Sequence, residues 1–276
     1  MLGMRARIPK NFDLEERLER YSSAIERHPS SYAGRWAEAC TPLGQEVAFR
    51  AVRLDLGCGK GQFAVEAARR EPDVLFVCLD AEPLCIAYAA QHAVEAELPN
   101  MVVAPAMGTQ VVQFFGTHEL SRIYINFPTP FPRKKESDRR LVSLERLLDY
   151  RKVLASDGSL IFKTDSQPLF DFALIQFELA GYELVWQSAD ARGERPDDPS
   201  SEYEERLSAQ GACVYALEAV LGPEPQNPVQ TASLSLADYL PQDLTDIGYV
   251  PHGMQGTVTN LRNRRIHEAE RAARHS

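Results

Sequence analysis

From Val52 onward, short apolar runs alternate with longer stretches whose apolar positions recur at helical spacing. Val52–Leu56, Leu75–Leu79, Met101–Ala104, Arg122–Asn126 and Leu160–Thr164 predict strands. Gln62–Arg70, Pro83–Ala96, Thr109–Phe115, Ser143–Val153 and Pro168–Ala180 predict helices between and after them. Short apolar strands separated by helices indicate a parallel sheet covered on both faces. Asp157-Gly158 punctuates the turn ahead of Leu160. Two later strand candidates, Tyr182–Gln187 and Cys213–Ala219, flank a polar, Pro-containing loop from Ala189 to Ser201, and fit an antiparallel addition at the sheet edge. The predicted fold is α/β, a Rossmann-like seven-stranded sheet with helices on both faces. Residues 1–50 read as a polar, mainly helical extension, clearest from Asp13 to Arg27. Residues 51–221 form the sheet domain. Residues 222–276 comprise a Pro-rich linker, Gly222 to Gln230, and an extension with one helical candidate, Asn260–Arg274.

Hydrophobic content of 44% supports a real core. No apolar stretch reaches the length of a membrane span. Met1 to Lys10 is basic, but no signal-peptide apolar region follows it, so a cytoplasmic location is expected. Cys40, Cys58, Cys78, Cys85 and Cys213 form no C-x-x-C pair, and the histidines lack metal-ligand spacing. Buried free thiols and no metal site are expected. Net charge is −9, against a generic nucleic-acid binder. Two local basic patches remain. Arg133, Lys134, Lys135, Arg139 and Arg140 stand against Glu136 and Asp138. Arg262, Arg264, Arg265, Arg271 and Arg274 stand against Glu268 and Glu270. This C-terminal helix is either a solvated helix or an RNA contact.

Chemistry concentrates first at Leu54-Asp55-Leu56-Gly57-Cys58-Gly59-Lys60-Gly61. A strand runs into three alternate glycines, and a helix follows. Glycines there let the chain turn sharply and let a ligand approach main-chain N–H groups. The spacing is G-x-G-x-G, with Gln62 where the dinucleotide fingerprint places its third glycine. The loop therefore leans towards S-adenosylmethionine rather than a nicotinamide cofactor. Asp80 ends the second strand, 23 residues after Gly57, where an acid can accept hydrogen bonds from both ribose hydroxyls of an adenosine ligand. The lesser alternative is a helix N-terminal acid ahead of Pro83. Asp55 lies inside a strand, where a charge is costly unless paired. It is better explained by ordering the glycine loop or facing a cationic ligand.

A second constellation runs from Asn126 through Phe127-Pro128-Thr129-Pro130-Phe131-Pro132 to Arg133-Lys134-Lys135, at the carboxyl end of the fourth strand. Three prolines in five residues stiffen this loop. Its aromatics can stack on bases, and its cations can neutralise phosphates.

These segments, with Arg139-Arg140-Leu141, Thr164-Asp165 and Ser201-Glu202-Tyr203-Glu204, occur in an order that resembles the bacterial tRNA (guanine-N7-)-methyltransferases. The resemblance covers roughly residues 52–218. It extends to the basic start Met4-Arg5-Ala6-Arg7, which would place initiation at Met4. It implies a class I methyltransferase that uses S-adenosylmethionine to methylate N7 of guanine 46 in the tRNA variable loop. It implies that Asp55, Gly57, Gly59, Gly61 and Asp80 hold the methyl donor, with Met107 at the position that contacts its adenine. Arg133, Asp165, Ser201 and Glu204 would hold the tRNA and its target guanosine.

The chain departs from the family pattern mainly at two places, and more mildly at Glu136, Ser137 and Asp138, where the family is rich in His and Lys. Thr129 stands where the loop normally carries the catalytic Asp, and Phe131 where it carries Trp. Met107 stands where Asp or Asn is usual. Ser201 for Thr keeps a hydroxyl, and Arg133 for Lys keeps a charge. Asp165 is the carboxylate left to share the catalytic role with position 129. Two alternatives to the enzyme reading are a tRNA-binding homologue without methyl transfer, motivated by Thr129 and Met107, and a methyltransferase on another substrate.

Overall fold

Each predicted apolar run becomes a strand of one sheet in the computed structural model, which describes residues 12–244 and 247–274. The strands are β1 Ala51–Leu56, β2 Val74–Asp80, β3 Met101–Pro105, β4 Leu120–Asn126, β5 Leu154–Thr164, β6 Tyr182–Ser188 and β7 Tyr215–Leu221. Their order across the sheet is β3-β2-β1-β4-β5-β7-β6. The β1–β5 ladders are parallel, and β7 runs antiparallel to both β5 and β6. The sequence reverses direction of growth at β1 and β4, so the cleft beyond their carboxyl ends is the place for a ligand.

Helices α1 Leu14–Arg20 and α2 Trp36–Ala39 precede the sheet. Within it come α3 Gln62–Arg70, α4 Pro83–Glu95, α5 Val111–Phe114, α6 Leu144–Val153 and α7 Gln167–Leu179. Then come α8 Ala191–Glu194, α9 Glu202–Ala209 and α10 Gln255–Arg274. Strand side chains alternate between two cores, as the period of two requires. Leu54, Val77, Ile123 and Phe162 pack with Leu147 and Phe172 on one face. Phe76, Cys78, Tyr124 and Ile161 pack with Phe63, Ala67 and Ala90 on the other.

Four local expectations change. Thr109–Phe115 is a 3-10 turn, Gly108–Gln110, followed by the short α5. Asp157-Gly158 lies within the span of β5: Leu120 of β4 pairs with Leu154, but Arg122 pairs with Ser159. The intervening residues bulge, and a Cβ on Gly158 would lie 3.0 Å from Ser121 O. Asp13–Arg27 is not one helix, because α1 stops at Arg20 and a 3-10 turn, Ser22–Ala24, turns the chain onto the sheet edge. Finally, all five thiols are free, but only Cys40 and Cys78 are buried; Cys58 and Cys85 are partly exposed and Cys213 is exposed.

Both flanking segments are built into the sheet domain. Trp36 is fully buried and donates its indole N–H to Phe114 O at 2.7 Å. Ile25 bridges to Val103 at the sheet edge. Leu236 and Met254, from the C-terminal segment, are fully buried in the first core. The basic stretch Met1 to Lys10 and the candidate start at Met4 lie outside the described residues. No helix among the described residues is long and apolar enough to cross a membrane.

Candidate active site

The glycine loop is a tight turn pinned at both ends. Gly57, Gly59 and Gly61 all have positive φ, at 77°, 55° and 77°. The Gly57 and Cys58 N–H groups donate to Leu79 O at 2.8 and 3.1 Å, tying the loop to the end of β2. The Asp80 carboxylate closes it from the same side, accepting from Gly59 N–H at 2.9 Å and Glu82 N–H at 2.8 Å. The three glycines do different work. A Cβ on Gly59 would meet open space, so that position leaves room for a ligand against the main chain. A Cβ on Gly61 would lie 2.8 Å from Ala89 Cβ, so that glycine lets α3 start against α4.

Asp55 and Asn126 stand at the carboxyl ends of neighbouring strands beside this loop. Asp55 is 1% exposed, its Oδ2 has no hydrogen-bond partner, and neither do Asn126 Nδ2 and Oδ1. Burial, then the charge of Asp80, pushes the Asp55 carboxyl up to about 7, while the nearby Asn126 amide opposes the rise without closing a bond. Burial raises Asp80 as well, against the N–H groups it accepts from. Buried polar groups without partners are uncommon and mark places where a ligand completes the set. A buried carboxylate in such a place fits a cation. Met107 is 57% exposed near the end of β3. Its N–H donates to Gln110 Oε1 at 3.0 Å and its carbonyl accepts from Gln110 N at 2.9 Å, so both its main-chain groups are already engaged.

The proline loop leaves β4 under strain. Phe127 and Phe131 have φ of 49° and 44°, a region that non-glycine residues rarely occupy. Thr129 and Arg133 are exposed on it, and Pro130 is buried. Arg140 holds the loop from below. It is fully buried, donates to Pro130 O and Phe131 O at 2.8–3.1 Å and to Leu234 O at 2.9 Å, and lies over the Phe172 ring. Desolvation lowers it to about 10. Arg140 is therefore removed from the basic patch that the charge count suggests. Arg139 is partly engaged too, 3.8 Å from Glu136 and over the Phe131 ring. Arg133, Lys134 and Lys135 remain exposed.

Asp165 follows β5 directly, and its Oδ2 accepts from Tyr249 Oη at 2.5 Å. The SEYE segment opens α9. Ser201 is its N-cap, accepting from Glu204 N–H at 3.1 Å. Glu204 turns inward, 2% exposed, with its carboxylate 3.4 Å from Lys163 Nζ. Burial raises Glu204 despite that partner. Tyr203 packs edge-on against Phe127 at 5.4 Å between centroids, with Arg206 over its ring at 5.2 Å. The structure thus brings Asp55, Asp80 and the glycines into one cluster at β1 and β2. It gathers Asp165, Tyr203 and the proline loop beyond β4 and β5. Ser201 and Glu204 serve α9 itself. Sequence reasoning missed Lys163 and Tyr249. A lysine within an apolar strand is a signal for the first; nothing local marks the second.

A sheet of this order with a reversed β7 and a glycine loop after β1 defines the class I methyltransferase fold. The family model described as "Putative methyltransferase" matches residues 50–217. The tRNA (guanine-N(7)-)-methyltransferase of Geobacillus thermodenitrificans is 32% identical over 211 residues, 76% of this chain and 95% of that protein. That of Lactiplantibacillus plantarum is 35% identical over 189 residues, 68% of this chain and 86% of that protein. Among solved structures, the 16S rRNA methyltransferase KamB aligns with a TM-score of 0.49 and 18% identity, over 63% of this chain and 89% of that one. The chain belongs to the tRNA (guanine-N7-)-methyltransferase family.

Proposed function

We propose that this protein transfers a methyl group from S-adenosylmethionine to N7 of a tRNA guanine, with guanine 46 of the variable loop as its target. The observation that carries the reading is the set of buried, unsatisfied side-chain atoms, Asp55 Oδ2 and Asn126 Nδ2 and Oδ1, beside an open glycine loop, in a chain that spans nearly the whole length of its guanine-N7 relatives. S-adenosylmethionine would supply an electrophilic methyl on a cationic sulfonium. Asp55 would face its charge, Asp80 its ribose hydroxyls, and the main chain near Gly57 and Gly59 would border it. Met107 would lend apolar contact in place of a polar partner for the adenine.

Thr129 does not exclude this chemistry. Guanine N7 carries a lone pair and no proton, so the chain need not supply a general base. What it must supply is alignment of two reactants, and alignment alone is worth roughly 7–11 kcal/mol of barrier. A carboxylate at position 129 would orient guanine N–H groups, and the loss of one such preorganised contact costs roughly 10²–10³ in rate. Asp165 can accept from the same N–H groups. Arg133 would meet phosphate on the exposed face of the proline loop.

The test is transfer of labelled methyl from S-adenosylmethionine to unmodified tRNA, with the product nucleoside identified by mass. 7-Methylguanosine is the expected product. Binding of both ligands without transfer would instead leave a tRNA-binding homologue, and transfer to a different atom or acceptor would leave a methyltransferase of another specificity.

A further inference from the structure

The C-terminal segment beyond residue 217 lies outside the matched family region, yet it reaches the predicted substrate side of the site. It does so at several points. Leu234 O accepts from the buried Arg140, and Leu236 N–H donates to Pro132 O at 3.0 Å. Gly253, at φ 86°, sits against Pro130, where a Cβ would lie 3.3 Å from the ring. The strained proline loop is thus clasped between Arg140 and this segment. Further along, Tyr249 donates to Asp165 at 2.5 Å, the length of a charge-assisted bond. A cavity of about 280 Å³ opens beside them, lined by Asp165, Tyr215, Tyr239, Tyr249 and Pro251 among others.

The chemistry of that cavity suits one base type. Its walls are tyrosine and proline faces with Leu240, Ile247, Val250 and Val258 between them, and any base can stack on the rings. Its charged group is the Asp165 carboxylate; the neutral Gln167 side chain beside it is engaged through Oε1, which accepts from Tyr215 Oη at 3.4 Å. An ionised carboxylate has about four acceptor sites, so Asp165 can accept from Tyr249 and still accept two N–H donors from a ligand. Guanine offers two adjacent donors on its Watson–Crick edge, N1–H and the 2-amino group; adenine offers one. Burial and the Asp165 acceptor both raise the Tyr249 hydroxyl above its ordinary value, so it stays a donor at neutral pH. Arg206 stands near the rim, over the Tyr203 ring.

We propose that the C-terminal segment completes the target-nucleotide pocket, and that Tyr249 is its specificity residue: the hydroxyl orients Asp165 towards the guanine edge and the ring forms one wall. The inference rests on the reading of Asp165 as the group that meets the target guanosine. Residues 239–241 and 247–251 are then part of the substrate site.

The test uses the full chain and its Tyr249→Phe and Tyr249→Ala variants. Binding of GMP and AMP is measured by ligand-observed NMR, alongside S-adenosylmethionine affinity, and KM and kcat on unmodified tRNA. The wild type is expected to prefer GMP. Tyr249→Phe keeps the ring and loses most of the GMP-over-AMP preference. Tyr249→Ala weakens GMP about ten-fold and raises KM for tRNA comparably, while S-adenosylmethionine affinity is unchanged in both. GMP binding unchanged in both variants overturns the proposal. So does faster turnover by Tyr249→Ala, which would make Tyr249 a plug over Asp165, and so does absence of GMP binding to the wild type. A wild type that prefers GMP through Tyr249 but forms no 7-methylguanosine leaves the pocket standing and removes the methyl-transfer reading.

Discussion

At the scale of single residues, Asp55 carries the sharpest consequence. Its carboxyl titrates near 3.8 when unfolded and near 7 when folded without ligand. Between those values the folded state holds the extra proton, so stability falls as pH rises from about 4 to 7 and is level above. A shift of that size is worth on the order of 4 kcal/mol. Thermal unfolding from pH 4 to 8 should show this slope, and Asp55→Asn should flatten it. A cationic ligand favours the ionised carboxylate, so S-adenosylmethionine affinity should rise with pH up to about 7 and then plateau. Equal affinity at pH 5 and pH 8 would show that Asp55 does not face the charge. Asp80→Ala removes the acceptor for Gly59 N–H and the ribose partner together, and should abolish donor binding in a titration while the protein stays folded. Asp55 and Asp80 were legible in the sequence because a charge in an apolar run and an acid at a strand end are local signals. Tyr249 was not, because its role depends on a chain reversal 84 residues from Asp165 that no local pattern encodes.

At the scale of elements, α9 docks on the sheet through a buried ion pair. Lys163 and Glu204 are each under a tenth exposed and sit 3.4 Å apart. Removing one partner of such a pair costs roughly 3–5 kcal/mol, because the other charge stays buried and alone, whereas replacing both by apolar groups is often neutral. Glu204→Leu and Lys163→Met should therefore each lower the melting temperature sharply, and the double variant should recover most of it. Equal losses that simply add would show that the two residues are not coupled. The parallel strands were legible because each contains a buried apolar run bounded by turn residues, and β6, largely exposed at the sheet edge, because aromatic and aliphatic residues recur at alternate positions along it. The element α9 was not, since only Tyr203, Leu207 and the terminal Ala209 break its polar run. Its cap, Ser201, is readable once the helix is known, and what holds the helix lies on β5. The bulge in β5 was hidden for a similar reason: Asp157-Gly158 has the local chemistry of a turn, and only pairing with β4 shows that the strand resumes across it.

At the scale of the whole molecule, a chain of net charge −9 must bind a polyanion. It can do so only if the contact is local, because at physiological salt charges more than about 8 Å apart are largely screened from one another. Exposed cations at the substrate side include Arg133, Lys134 and Lys135 of the proline loop and Arg206 near the pocket rim. The arginines of α10 are partly committed elsewhere: Arg262 donates to Leu244 O, Arg265 to Pro241 O and Gln242 O, and Arg264 lies 3.5 Å from Glu268. The three cations of the proline loop contribute about −2 to −3 to the slope of log affinity against log salt. Replacing all three cations of the proline loop by alanine should make the slope shallower by that amount, and replacing Arg264 and Arg271 should leave it unchanged. Below about 10 mM salt the Debye length reaches about 30 Å, and the acidic remainder of the protein then repels the tRNA, so the plot should flatten there rather than continue to climb. A steep, straight line to the lowest salt would mean that many more cations touch the tRNA, with α10 the place to look for them.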